Sequence, residues 1–388
     1  MIPRALTSTA RALAQRHPVL TVLGPRQSGK TTLCRALFPA HRYVSLEPLD
    51  NRAYARSDPR GFLAELGKGG VIDEIQRAPD LLSYLQAEVD ERPAAGRFIL
   101  IGSQQLALSA AVSQSLAGRT ALLELLPLSL AELRLFDHAP KTLWETIWTG
   151  GYPRIQQERL PPAKWLADYL ATYVERDLRQ LLQVGDLATF GGFLKLCAGR
   201  TAQELNLAAL GADAGVSNHT ARAWLSVLEA SYLCFRLPGS HPTVRKQVVK
   251  SPKLHFYDTG LACQLLGIRT AGELVHHPLR GALFESWVAA EVAKQFTNVG
   301  ERPRLSHYRQ SRGLEVDLLV EGGRGAIALE CKSGATVLPE AADSLRRYRA
   351  EVAPGVRCVL VHGGDLARKS GGVAFAPWDG IPGLAGAR

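Results

Sequence analysis

The 388-residue sequence predicts an α/β protein of several domains. Three observations carry this. An apolar strand runs into a glycine-rich loop and then a helix over "VLTVLGPRQSGKTTLCRALFPA". Further short apolar segments, near residues 43–46, 70–73, 98–102 and 121–125, alternate with helical stretches, which argues a mostly parallel, doubly wound sheet. Far downstream, the helix "GALFESWVAAEVAKQF" and the hairpin "GLEVDLLVEGGRGAIALECKSG" form a second α/β pattern. At 46% hydrophobic residues the chain can bury real cores, and the composition excludes disorder.

The first element is the most specific. Gly24, Pro25, Arg26, Gln27, Ser28, Gly29, Lys30 and Thr31 fit G-x-x-x-x-G-K-[ST] in full, with Thr32 next in line. Glycines let backbone N–H groups turn inward around a phosphate, and the following helix points its positive end there. Lys30 then reaches the β- and γ-phosphates of ATP, and the Thr31 hydroxyl is a ligand for Mg²⁺.

The next elements complete a phosphate-transfer site. "GGVIDEIQ" is a strand ending in Asp73 and Glu74. Asp73 is assigned to the metal and Glu74 to the attacking water; the alternative is an acidic pair capping the helix "PDLLSYLQAEVDE". "RFILIGSQQ" ends a further strand at Ser103 and Gln104, polar groups placed to sense the γ-phosphate. Arg119 follows a helix and a glycine. It is either an arginine finger, acting on its own or a neighbour's nucleotide, or a surface arginine.

The phosphate loop, "VIDEIQ", "FILIGSQQ", "LAGR" and "LPLSLAEL", followed by "GGYPR", "YVERDLRQL", "SPKLHFYDTGLACQLLGI" and "GALFESWVAAEV", resembles the AAA+ ATPases of bacteria and archaea that carry a C-terminal domain of unknown function. The resemblance spans nearly the whole chain. It implies ATP binding and hydrolysis, a nuclease-like C-terminal domain, and assembly into a ring, a homo-hexamer being favoured. The expected division is an ATPase core over 1–138, a helical lid over 139–200, a winged helix over 201–260 and a nuclease-like domain over 261–388.

The middle third reads as amphipathic helices broken by "TGGYPRIQ", whose Arg154 is a lid residue or a loop arginine in a salt bridge. Arg176 and Arg179 share a helix face. "LAALGADAGVSNHTARAWLSVLEASYLCFRLPG" has helix-turn-helix spacing, with a turn at Gly215 and a cap at Ser217 or Asn218. Two strands around the basic loop "HPTVRKQVVKSPK" then make it a winged helix. Asn218, His219, Arg222, Arg245, Lys246, Lys250 and Lys253 are its phosphate-contact candidates; the alternative is a module that only holds domains together.

In the last third strict alternation puts Val316, Leu318 and Val320 on one face, and Glu315 and Asp317 on the other. Ala328, Glu330 and Lys332 oppose Ile327, Leu329 and Cys331 in the same way. Asp317, Glu330 and Lys332 would thus stand together, with Glu285 from the preceding helix as a fourth member. Carboxylates beside a lysine suit a metal-dependent phosphodiesterase, with Glu285, Asp317 and Glu330 as metal ligands and Lys332 stabilising developing charge. The order of helix acid, strand acid and E-x-K resembles the PD-(D/E)XK nuclease fold. Val316 stands where that pattern customarily has proline. A half-exposed hairpin shows the same alternation.

A formal charge of +10 suits a polyanionic partner, DNA first. The six scattered cysteines have neither zinc spacing nor a C-x-x-C pair and point to a reducing cytoplasm. No run has the length of a signal peptide or membrane span, so no membrane partner is expected.

Overall fold

The computed structural model describes residues 3–103, 115–174, 187–240, 249–310, 313–322 and 325–384. Gln104, Arg176, Arg179, Arg245 and Lys246 lie outside the described residues. The chain divides into two compact units. One is Met1–Pro127 with Ala230–Tyr232 and Thr297–Glu301; the other is Leu128–Glu229, Leu233–Phe296 and Arg302–Arg388.

The first unit is built on five parallel strands: β1 (Val19–Leu23), β2 (Arg42–Ser45), β3 (Gly70–Asp73), β4 (Phe98–Gly102) and β5 (Thr120–Glu124). Their spatial order is β2-β3-β4-β1-β5. Every residue of β1, β3 and β4 is buried, as expected for parallel strands covered on both faces. Leu33 and Cys34 of the helix Lys30–Leu37 and Ala10 and Ala14 of the helix Thr7–Ala14 share one core with these strands. Register sets the site. Leu23 is level with Gly102, and Asp73 with Ile101. The loops after β1, β3 and β4 therefore leave the same carboxyl edge, where open α/β sheets bind ligands.

The second unit begins with short helices. Leu143–Thr149 starts in a reciprocal capping box between Thr142 and Glu145. Helices Leu207–Asp213 and Asn218–Ala230 follow, joined through Gly215 at φ 70°. The Ser217 hydroxyl accepts from the Thr220 N–H at 3.0 Å and so caps the second helix. Ala221, Trp224, Leu225 and Leu228 are buried, as their spacing predicts, and Trp224 meets Phe190 and Phe193 edge-on. An antiparallel sheet adjoins them, in the order β6 (Gln203–Glu204), β8 (Lys253–Phe256), β7 (Cys234–Leu237).

The last sheet has six strands: β9 (Leu305–Arg309), β10 (Glu315–Gly322), β11 (Gly325–Lys332), β12 (Arg357–His362), β13 (Arg368–Ser370) and β14 (Val373–Pro377). Their order is β13-β14-β12-β11-β10-β9. The pairs β11–β12 and β12–β14 are parallel and the others antiparallel. The segment after β7 attaches to the edge strand β9. His307 donates to the Pro238 carbonyl, while Ser240 and Val249 donate to the carbonyls of His307 and Arg309.

Strict alternation along β10 is corrected. The pairing with β9 slips between Val316 and Leu319, so two residues of β10 face one of β9. Val316 and Leu319 therefore share an apolar cluster with Ala328, while Leu318 and Val320 pack with Ile327 and Leu329 in another. The bulge changes the face on which the residues after Val316 fall, which a period of two does not reveal.

Candidate nucleotide site and a second acidic cluster

The glycine loop occupies the turn from β1 into the helix Lys30–Leu37. Gly24 has φ 149°, and an added Cβ would lie 2.2 Å from the Leu125 carbonyl oxygen, so only glycine fits against β5's exit. Gln27 and Gly29 also have positive φ, 64° and 91°. The loop thus holds an unfavourable backbone shape, as phosphate-cradling loops do. Among the described residues the buried Ser28 hydroxyl has no hydrogen-bond partner, and a phosphate oxygen would satisfy it.

Lys30 is buried and donates to the carbonyls of Gly24 at 2.9 Å and Pro25 at 2.7 Å. Burial pulls its ammonium down to about 8, against the opposing pull of Glu74 and Asp73. Asp73 Oδ2 accepts from the Thr31 hydroxyl at 2.7 Å and from the Tyr43 phenol at 2.9 Å, and Oδ1 accepts from the Glu74 N–H at 2.9 Å. A hydroxyl and a carboxylate in contact at a strand tip are the donor set that fits a nucleotide's Mg²⁺. Burial and Asp73 push the Tyr43 phenol up to about 12, so it stays a donor.

Glu74 sits in the left-handed region at φ 57°. That twist carries its carboxylate to Ser103, whose hydroxyl donates to Oε2 at 3.1 Å, and to the Gln76 amide, which donates to the same oxygen. Gln76 also donates to the Ser103 hydroxyl at 3.0 Å. The acidic pair does not cap Leu81–Glu91, whose N-cap position is Asp80. Lys30, Thr31, Asp73, Glu74 and Ser103 thus converge at one sheet edge.

Arg119 does not join them. Its carbonyl accepts from the Val19 N–H, at the amino end of β1. That is ~15 Å of strand from the phosphate loop. Action on its own nucleotide is therefore corrected. Its guanidinium pairs with Asp90 through Nε at 2.6 Å and Nη2 at 2.8 Å. Arg154 likewise pairs with Glu158 at 2.9 Å, on an exposed helix face.

The second cluster centres on a residue the sequence suggested for phosphate contact. Lys253 of β8 is 3% exposed, so it does not reach a nucleic acid. Its ammonium lies 2.8 Å from Glu285, 2.9 Å from Glu315 and 3.7 Å from Asp317. Burial opposes its charge, but Glu285, Asp317 and Glu315 outweigh it and hold the ammonium well above the usual lysine range. One cation cannot neutralise three acids. Burial and then Asp317 push the Glu285 carboxyl up, whereas Lys253 overcomes burial and pulls Glu315 down.

Asp317 Oδ2 accepts from the Cys331 N–H at 2.8 Å, and Lys332 pairs with Glu330 at 2.7 Å. Burial and Asp317 push Glu330 up to about 8. Glu285, Asp317 and Glu330 do not form a metal shell here. A lysine ammonium stands between Glu285 and Asp317, and Glu330 is held by Lys332. Among the described residues no group of three or more His, Cys, Asp or Glu side chains could hold a metal ion. A metal does not fit this cluster as it stands.

An uncharacterised protein of Mycobacterium bovis and one of Mycobacterium tuberculosis are each 32% identical to the chain over 348 residues, 88% of this chain and 76% of theirs. Residues 16–134 match the AAA domain family. Residues 140–272 and 280–379 match two domains of unknown function, DUF8612 and DUF4143. The chain belongs to the family of these mycobacterial proteins, and its N-terminal part is a P-loop domain of the AAA type. Among solved structures, a Walker-type ATPase of Pyrococcus abyssi aligns with 67% of the chain and 94% of its own length, at 13% identity and TM-score 0.42. The Holliday junction branch migration motor RuvB of Thermotoga maritima aligns over 60% of the chain and 87% of its own, at 23% identity and TM-score 0.33.

Several residues of the chain give no sequence signal. Tyr43 reads as a strand aromatic, Gln76 as a loop amide and Arg4 as a terminal charge. Glu291 and Lys294 read as surface charges of a helix but are 2% and 4% exposed. Glu291 accepts from the Leu130 N–H, and Lys294 donates to the Leu128 carbonyl and to Glu291. Buried Asp258 accepts from the N–H groups of Gly151 and Leu261. The phrases "LPLSL", "GGYPR" and "FYDTGL" thus carry buried polar anchors of the second unit. All six cysteines are free. No helix among the described residues is long and apolar enough to cross a membrane.

Proposed function

We propose that this ATPase couples ATP hydrolysis to binding and remodelling DNA, and that its C-terminal sheet is a nuclease-like fold that does not cut. The observation that carries the ATPase half is the Thr31–Asp73 contact beside a Glu74 carboxylate held by Ser103. The loop from Gly24 to Thr32 holds the polyphosphate, and Thr31 and Asp73 hold Mg²⁺, which supplies charge neutralisation when bound. Lys30 leaves the two loop carbonyls for the phosphates. Glu74 orients water, and Ser103 keeps its carboxylate aimed. The test is phosphate release from ATP, with loss expected in Lys30→Ala.

The DNA half rests on the outer face of the helix Asn218–Ala230. Asn218, His219 and Arg222 are exposed there, opposite the buried Trp224 face, in a chain of charge +10. We read this helix pair and the three-stranded sheet as a winged helix, and the protein as a cytoplasmic ring, a homo-hexamer. The chosen test is fluorescence anisotropy on linear and branched DNA at low salt with ATP and Mg²⁺. Binding that weakens in Arg222→Ala and with rising salt supports the reading; no binding overturns it.

Lys253 favours silence of the nuclease-like site, since cleavage needs a divalent ion where the ammonium stands. A second reading has its own support. The base of the loop after β7 is tied to β9, which suits a holding module. The protein is then a nucleotide-controlled regulator that binds a protein partner. Absence of DNA binding together with ATPase activity would select it.

A further inference from the structure

We infer that Arg4 is a positioning residue of the nucleotide site, setting the phosphate loop through its backbone. This rests on the nucleotide-binding reading above. Arg4 is 9% exposed, although it stands near the start of the chain. Its guanidinium donates through Nη1 to the Ser28 carbonyl at 2.7 Å and through Nη2 to the Leu126 carbonyl at 2.7 Å. One fork thus clips the crest of the phosphate loop to the segment leaving β5.

That segment is already the floor of the loop. Gly24 lies so close to the Leu125 carbonyl that no Cβ fits between them. The Leu125 N–H in turn donates to the Leu23 carbonyl at 2.7 Å. Arg4 therefore closes the far side of a loop whose near side is pinned by Gly24. A rigid two-pronged donor does this as a single ammonium cannot.

Peptide geometry turns this clip into a statement about ligand binding. In a planar trans peptide the C=O and the following N–H point in opposite directions. Arg4 draws the Ser28 carbonyl toward the floor. The N–H of Gly29 is thereby aimed away from the floor, into the space where a loop of this kind meets phosphate. Gly29, at φ 91°, is in a conformation that only glycine adopts readily. Freed from Arg4, the Ser28–Gly29 peptide has less to hold it in this orientation.

The phosphate contacts in question are present in ground state and transition state alike. Their loss therefore weakens nucleotide binding and leaves turnover at saturation nearly unchanged. The experiment measures ADP affinity, KM for ATP, kcat and melting temperature for wild type, Arg4→Ala and Arg4→Lys. Arg4→Ala is expected to raise the ADP Kd and the ATP KM about ten-fold or more, with kcat within about three-fold. Arg4→Lys, which keeps the charge but not the fork, falls between. Should Arg4→Ala not fold, Arg4→Lys carries the test. An ADP Kd equal to wild type in a folded variant overturns the proposal, as does a loss confined to kcat. Failure of the wild type to bind ADP would instead overturn the nucleotide reading itself.

Discussion

The two acidic sites use the same parts, buried carboxylates with a lysine nearby, and do opposite things with them. At the carboxyl edge of the parallel sheet Lys30 and Thr31 are held by partners that can let go. Lys30 rests on two backbone carbonyls, and the Thr31 hydroxyl rests on Asp73. An arriving polyphosphate offers Lys30 a stronger partner, and its Mg²⁺ would offer one to Thr31 and Asp73. In the mixed sheet the cation is part of the chain. Lys253 is covalently delivered to Glu285, Glu315 and Asp317, and its charge is matched before any ion arrives. Acidic residues alone therefore do not distinguish a ligand site from a buried electrostatic joint. What distinguishes them is whether the counter-charge can leave.

The sharpest way to break the comparison is at Glu74. Glu74→Gln should lower the maximal ATP hydrolysis rate ~10²–10⁴-fold. ADP affinity, read by titration calorimetry, should stay near wild type. A variant with normal turnover would remove Glu74 from the reaction. The corresponding change in the other site should strike stability. Lys253→Met leaves three acids around an apolar chain and should cost about 3–5 kcal/mol in denaturant unfolding. If Lys253→Met is as stable as wild type, the joint is not what holds these strands.

A smaller effect follows from titration. Burial leaves Lys30 at about 8, below its ordinary 10.5, and a bound polyphosphate raises it again. Free protein then loses the Lys30 proton as pH rises through 8, and binding must take the proton back up. ADP affinity should thus hold below pH 8 and fall by up to ~10-fold per pH unit above it. A flat profile from pH 7 to 10 would refute the assignment. The smallest expected effect is at Tyr43. Tyr43→Phe removes one of two hydroxyls on Asp73 Oδ2, a loss of about 1 kcal/mol. It should appear as a few-fold shift in the Mg²⁺ dependence of hydrolysis.

Legibility in the sequence followed the range of the interaction. The phosphate loop was readable because its glycines, Lys30 and Thr31 act within one short stretch. Asp73 and Ser103 were readable because each ends an apolar strand. Arg4 and Tyr43 were not, since their partners are remote: Ser28 and Leu126 for the first, Asp73 for the second. Glu285 and Asp317 stand out as acids, but the residue that decides their role is Lys253, which reads as one more positive charge after a basic loop. The slip of β10 against β9 was hidden for another reason. Its run Leu318-Leu319-Val320 is apolar on both faces, so a period of two does not locate the slip.

The attachment of Pro238–Ser240 and Val249 to β9 has a consequence of another kind. An open sheet ends in rows of unused N–H and C=O groups, which invite strands from other molecules. On the β9 side some of those groups are already taken by the chain itself. At the other end β13 has only three residues, Arg368, Lys369 and Ser370, and the two basic ones are exposed. A short, charged border is a poor template for aggregation. The six-stranded sheet is thus guarded at both margins, which disfavours edge-to-edge pairing with strands of other molecules.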